Sequence, residues 1–148
     1  MPQSAQACAR AVLEGVPEVT RVIRAQMRQH RGTALSVPQF RTLVLLEAEP
    51  GAALSRVAEH VGLTRPSAST LVDGLVQRAL VARQPHPTDR RRIALALTAH
   101  GRTVVTSARR QTQAFLAEHL TALSDGQRAT IVEAMRLLSQ AFASTPAA

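Results

Sequence analysis

Apolar residues in the first thirty positions recur every third or fourth place, at Val12, Leu13, Val16, Val19, Val22, Ile23 and Met27. That spacing gathers them on one side of an α-helix. Pro17 falls inside the stretch and has no N–H to give the helical ladder, so a kink or a restart is expected there. Arg31, Gly32 and Thr33 close the segment. Ser36 then stands as an N-cap, with Pro38 in the first turn and Gln39 at the third helical position. The run that follows, Phe40, Leu43, Val44, Leu46 and Ala48, is apolar on more than one face, as in a central buried helix. Pro50-Gly51 ends it.

Ser55 is expected to cap a short helix over residues 56–61, with Val57, Ala58 and Val61 turned inward. Gly62 makes the turn. Thr64 caps the next helix, in which Ala68, Leu71, Val72, Leu75 and Val76 follow helical spacing and Arg65, Ser67, Ser69, Thr70 and Asp73 form a short-chained polar outer face. Two helices joined by a tight Gly turn make a helix-turn-helix, and such an outer face lets the helix backbone approach base edges. Residues 80–84 and 92–97 have strand character. Between them, residues 85–91 read Pro-His-Pro-Thr-Asp-Arg-Arg, a turn with a cationic tip. This predicts a β-hairpin, the wing of a winged helix.

Thr98 caps a long helix that has Gly101 in its first turn and runs to about Leu120. Ser124 opens a last helix with Ile131, Met135, Leu138 and Phe142 on one stripe. The predicted fold is therefore mainly α with a small β-hairpin wing: a winged helix-turn-helix core over residues 36–98 in a single domain spanning 1–148. The flanking helices, 1–34 and 99–143, keep apolar faces that need a partner, and an intertwined homodimer supplies one. Residues 144–148 are expected to fray.

Composition narrows the partner. The chain has 148 residues and a net charge of +8, and all 18 of its basic residues are Arg, so an anionic partner is favoured. Tyr and Trp are absent and only Phe40, Phe115 and Phe142 are aromatic. Single-strand binding by base stacking is thereby disfavoured, whereas duplex DNA needs only cations, small polar groups and a helix that fits a groove. No apolar run approaches the roughly 18–20 residues of a membrane span. The first ten residues lack the order of a secretory signal, so a soluble, cytoplasmic protein with no membrane partner is expected.

Four blocks then carry a family resemblance: Leu-Ser-Val-Pro-Gln-Phe-Arg-Thr-Leu (35–43), Leu-Ser-Arg-Val-Ala-Glu-His-Val-Gly-Leu-Thr (54–64), Leu-Val-Asp-Gly-Leu (71–75) and Asp-Arg-Arg-Arg-Ile-Ala-Leu-Ala-Leu-Thr-Ala-His-Gly (89–101). In this order and at these spacings they resemble the MarR family of bacterial transcription regulators. The most specific part is Asp-x-Arg in the wing followed by Leu-Thr-x-x-Gly. The resemblance implies a homodimer held by its terminal helices, with two winged lobes straddling a pseudo-palindromic operator in double-stranded DNA. Recognition helices would enter adjacent major grooves and wings the flanking minor grooves. It also implies repression relieved by a small-molecule effector, an anionic or aromatic compound or an oxidant acting where dimer and DNA-binding parts join. Two positions depart from the family pattern. Thr70 replaces a frequent Arg, and Ala79 stands where Gly usually ends the recognition helix, which strains the backbone if its φ is positive.

Arg65, Ser67, Ser69 and Thr70 are the expected major-groove face; the alternative is a solvated helix surface. Arg91 is the expected minor-groove cation, Asp89 its brace through an ion pair or else a plain turn residue, and Arg90 a phosphate contact. Ser36, Ser55 and Thr64 are caps first, and helix N-termini also bind phosphate; Arg41, Arg56 and Arg78 are further phosphate candidates. Leu13, Val16, His30 and Phe40 line a ligand pocket or are plain core. Cys8 reads as a small buried residue in an Ala-rich helix; the alternative, implied by the resemblance, is a peroxide-sensing thiol, against which the absence of tyrosines and of a second cysteine counts. The histidines at 30, 60, 86, 100 and 119 share no metal-ligand spacing, and no catalytic motif appears, so no metal, cofactor or enzyme activity is expected. The rival function is a winged module that binds DNA without sequence preference or binds a protein.

Overall fold

The computed structural model describes residues 4–32 and 34–145. Thr33 of the closing turn, the first three positions of the stretch read for a secretory signal and residues 146–148 of the expected tail lie outside them. In chain order the elements are α1 (Ala5–Gln29), α2 (Val37–Ala48), α3 (Leu54–Val61), α4 (Arg65–Gln77), β1 (Val81–Pro85), β2 (Ile93–Leu97), α5 (Ala99–Leu120) and α6 (Asp125–Phe142). They fall into two units, one ending at Thr112 and one beginning at Gln113.

In the first unit, α1 starts at Ser4, whose Oγ accepts the Ala7 N–H at 3.1 Å. It continues through Pro17 as one helix, so the expected restart does not occur. Pro17 removes a single ladder bond, and the carbonyl it would have used, on Leu13, lies on an exposed flank open to water. None of the apolar residues of α1 is fully buried. Cys8 is likewise exposed, against the expected burial.

The core gathers around α2. Phe40, Leu43 and Leu46 pack with Val57 of α3, Val72 and Leu75 of α4, Leu80, Val81 and Leu95 around the hairpin, and Val105 of α5. Ser36 and Gln39 close a reciprocal capping box: the Gln39 N–H donates to Ser36 Oγ at 3.3 Å and the Ser36 N–H to Gln39 Oε1 at 2.9 Å. The entrance to α3 differs from expectation. Ala53, not Ser55, occupies the N-cap, without a side-chain hydrogen bond. The cause is tertiary: Ala52 bridges Leu95, whose N–H donates to the Ala52 carbonyl at 3.0 Å, so the chain is already pinned when it turns. Gly62 then ends α3 at φ 73, a left-handed conformation in which a Cβ is strained.

Thr64 caps α4, accepting the Ser67 N–H at 3.3 Å. Ala68, Val72 and Leu75 are its buried residues. Ala79 follows with φ 56, so the helix end keeps the geometry of a glycine turn with an alanine in it. The hairpin is antiparallel, pairing Val81 with Leu97, Arg83 with Leu95 and Pro85 with Ile93. It begins one residue later than expected and takes in Pro85, which sits exposed at the end of a two-stranded ribbon. Thr98 caps α5, and its Oγ accepts the Gly101 N–H at 3.0 Å.

The second unit holds the last turns of α5 and all of α6. Ser124 and Gln127 form another capping box. No residue of α6 is fully buried, and of the expected stripe only Leu138 is even half-buried. Among the described residues no helix is long and apolar enough to cross a membrane.

Candidate nucleic-acid interface

Two elements build the site. Gly62 turns α3 into α4, and α4 presents its N-terminal half to solvent. Arg65 occupies the first helical position, exposed and without a hydrogen-bond or ion-pair partner among the described residues. Ser67 is exposed and its Oγ accepts from Thr64 Oγ1 at 3.0 Å. Thr70 is exposed, and its hydroxyl donates back to the Pro66 carbonyl at 3.2 Å. Ser69 is half-buried rather than fully outward. It lies one residue past buried Ala68, so part of it is covered by the packing that anchors the helix. The solvent-facing set is thus Arg65, Ser67 and Thr70 with Ser69 at its margin.

At the wing tip Arg90, Arg91 and Arg92 are all exposed. Asp89 does not pair with the Arg91 guanidinium. Its carboxylate accepts the Arg91 backbone N–H at 3.1 Å and lies 4.0 Å from Arg92 Nε. The turn role wins because a short Asp side chain reaches a backbone N–H two residues on more readily than a distant guanidinium. The bracing is therefore of the loop, and it leaves the Arg91 head free of carboxylates among the described residues.

The remaining cations are partly committed. Arg56 is held by Glu49 through two 2.9 Å hydrogen bonds, and the Arg56 guanidinium pulls the Glu49 carboxyl below its ordinary pKa. Arg41 donates to the His60 carbonyl at 2.6 Å, and Arg78 to the Ala34 carbonyl at 2.7 Å. Burial pushes the His60 imidazole below its ordinary pKa, helped by the cations of Arg41 and Arg56. Ser36 and Thr64 spend their hydroxyls on caps, while Ser55 is exposed on α3. Phe40 is core, whereas Leu13 and Val16 are exposed and His30 is half-buried. Val16, Pro17, Thr20, Arg21, Arg24 and Arg28 share one open face of α1. Among the described residues no group of three His, Cys, Asp or Glu side chains is placed to hold a metal.

Sequence reasoning missed two links. The Arg83 guanidinium of β1 donates to the Asp73 carboxylate of α4. Arg109 of α5 holds Glu47 of α2 through contacts of 2.8 and 2.5 Å. The first depends on how the strand lies against α4, since Arg83 is exposed and an exposed arginine needs no acid. The second depends on how α5 crosses α2.

Comparison with known proteins agrees with this geometry. A MarR family model matches residues 35–92, which take in the helix-turn-helix, the first strand of the wing and its turn. An HTH-type transcriptional regulator of Mycobacterium leprae is 26% identical over 128 residues, 86% of this chain and 90% of its own. The crystal structure of RV1404 from Mycobacterium tuberculosis superposes with a TM-score of 0.65 at 27% identity, over 100% of both chains. That of S. aureus MepR bound to ethidium bromide gives 0.61 at 22% identity, over 84% of this chain and 94% of that one. Helix-turn-helix, wing, matched family model and relatives aligned over most of their length agree: residues 35–92 carry the helix-turn-helix of the MarR family, and the chain as a whole is similar to transcriptional regulators of that kind.

Proposed function

We propose that this protein is a homodimeric, sequence-specific binder of double-stranded DNA that represses from a pseudo-palindromic operator and is released by a small-molecule effector. The observation that carries DNA binding is the pairing of an exposed, short-chained face on α4 with a wing tip of three exposed arginines. Arg65, Ser67, Ser69 and Thr70 would read base edges, while Arg91 would enter the minor groove and Arg90 meet phosphate. Ser36, Ser55, Thr64, Arg41, Arg56 and Arg78 are secondary phosphate contacts, with Arg56 the weakest of them because Glu49 already neutralises it. Dimerisation is supported by uncovered apolar side chains in both units, among them Leu13 (75% exposed), Val132 (70%) and Phe142 (60%). In this reading residues 1–34 and 99–143 serve the dimer and 36–98 the DNA, in the cytoplasm.

Ligand response is supported by an open face of α1 on which Val16 and Pro17 share a side with Arg24 and Arg28, cations with no carboxylate partner among the described residues. Such a face suits a small anion with an apolar body. The effector can act only by binding one lobe spacing better than another. Selection of bound duplexes from a random pool tests the reading: an enriched repeat of half-sites about one helical turn apart is expected. Binding that depends on salt but enriches no sequence would instead favour an architectural module.

A further inference from the structure

Helix α4 carries one acidic residue, Asp73, and it lies on the outer side of the helix. At about 100° per residue Asp73 sits within roughly 60° of Thr70 and Ser69 around the helix axis. A carboxylate there shares the Ser69–Thr70 side of the base-reading set, though about 80° from Arg65 and about 120° from Ser67, and the phosphates of a duplex on that side would repel it. Its partner comes from the wing. Along β1 successive side chains alternate, so Arg83 points to the side of Val81, which is buried, and away from that of Ala82 and Gln84. Arg83 is itself exposed, and its guanidinium reaches back from the strand to Asp73.

We propose that the Asp73–Arg83 ion pair is a positioning device that sets the wing against the recognition helix and masks the only carboxylate α4 turns toward DNA. The inference rests on the DNA-binding reading above. The pair joins the two elements that must enter neighbouring grooves at once, and an error in their relative pitch would place Arg91 or Arg65 out of reach. Neither residue touches a base in this account. Both act through Arg65, Thr70 and Arg91. An exposed pair adds little to global stability, so its effect falls on selectivity.

The test compares wild type with Arg83→Ala, Asp73→Ala, the double variant and the charge swap Asp73→Arg/Arg83→Asp. Each is titrated with the duplex selected by wild type and with random-sequence duplex. Arg83→Ala is expected to bind both duplexes more weakly and to lower the ratio of selected to random affinity about tenfold. The double variant restores the net charge, so random-duplex binding returns to the wild-type level while the ratio stays low. The swap recovers the ratio. All variants should keep the wild-type thermal midpoint within a few degrees. A double variant with the wild-type ratio would show that charge alone mattered and would overturn the proposal, as would an unchanged ratio in Arg83→Ala. If wild type itself enriches no site, the DNA-binding reading fails and the device has nothing to position.

Discussion

Gly101→Ala separates helix propensity from packing. Gly101 lies in the first turn of α5, and on propensity alone alanine would stabilise a helical position by about 1 kcal/mol. Tertiary structure reverses the sign. A Cβ at residue 101 would stand 2.2 Å from the Leu80 carbonyl oxygen and 3.2 Å from Leu97 Cδ2. The carbonyl is not free to retreat, since it accepts the Thr98 N–H at 3.1 Å while the Leu80 N–H is tied to Leu75 at 3.0 Å. Overpacking of this kind costs about 1–3 kcal/mol, and weakening the Thr98 bond adds about 1 kcal/mol. After subtracting the propensity gain, a net loss of about 1–3 kcal/mol is expected. Urea unfolding at fixed protomer concentration should show a midpoint lower by about 1 M with an unchanged slope. An equal or higher midpoint would refute the claim that the Leu80 backbone and α5 meet too closely for any side chain.

Other consequences follow from the same contacts. Ala79→Gly should raise the thermal midpoint, corresponding to about 0.5–1 kcal/mol, because the alanine at φ 56 holds a conformation that glycine adopts freely; a lower midpoint would argue against left-handed strain there. Arg91→Ala should weaken binding across all duplexes and reduce the salt slope by about one, whereas Arg65→Ala should mainly relax base preference; both are read by titration at several salt concentrations. His60 should titrate below its ordinary value of 6.5 in a proton NMR series, since folding favours its neutral form. Its folded pKa is depressed, so the stability it contributes is present above the unfolded value and is lost as pH falls through the folded one. His60→Gln should remove that part of the acid-side decline.

Much of the architecture was legible from local signals. Ser36 with Gln39, Thr64, Thr98 and Ser124 all cap the helices they were expected to cap, because capping is a contact over three residues. Gly62 was legible for the same reason. The family pattern raised a left-handed turn at Ala79 as a condition, with the alanine expected to alter its geometry; at φ 56 the residue instead keeps the conformation a glycine would take. The errors share a different origin. Ser55 lost its capping role to a bridge between Ala52 and Leu95, residues far apart in sequence. Asp89 met a backbone N–H rather than the Arg91 guanidinium, because the actual turn brings the former nearer. Cys8 was expected to be buried in its helix and is exposed instead, because the start of α1 carries no side chain into the core.

By itself the sequence determined the element order, the caps of α2, α4, α5 and α6, the core faces of α2, α3 and α4 and the cationic character of the wing, since all of these follow from spacing, side-chain type and charge. Only the tertiary structure decided which arginines are already spent and which remain exposed. Arg56, Arg78, Arg83 and Arg109 are bound to acids or carbonyls of other segments, while Arg65, Arg90 and Arg91 are exposed and without carboxylate partners among the described residues. A guanidinium's reach extends across elements that sequence spacing does not relate, so its partner depends on packing and not on the residues beside it.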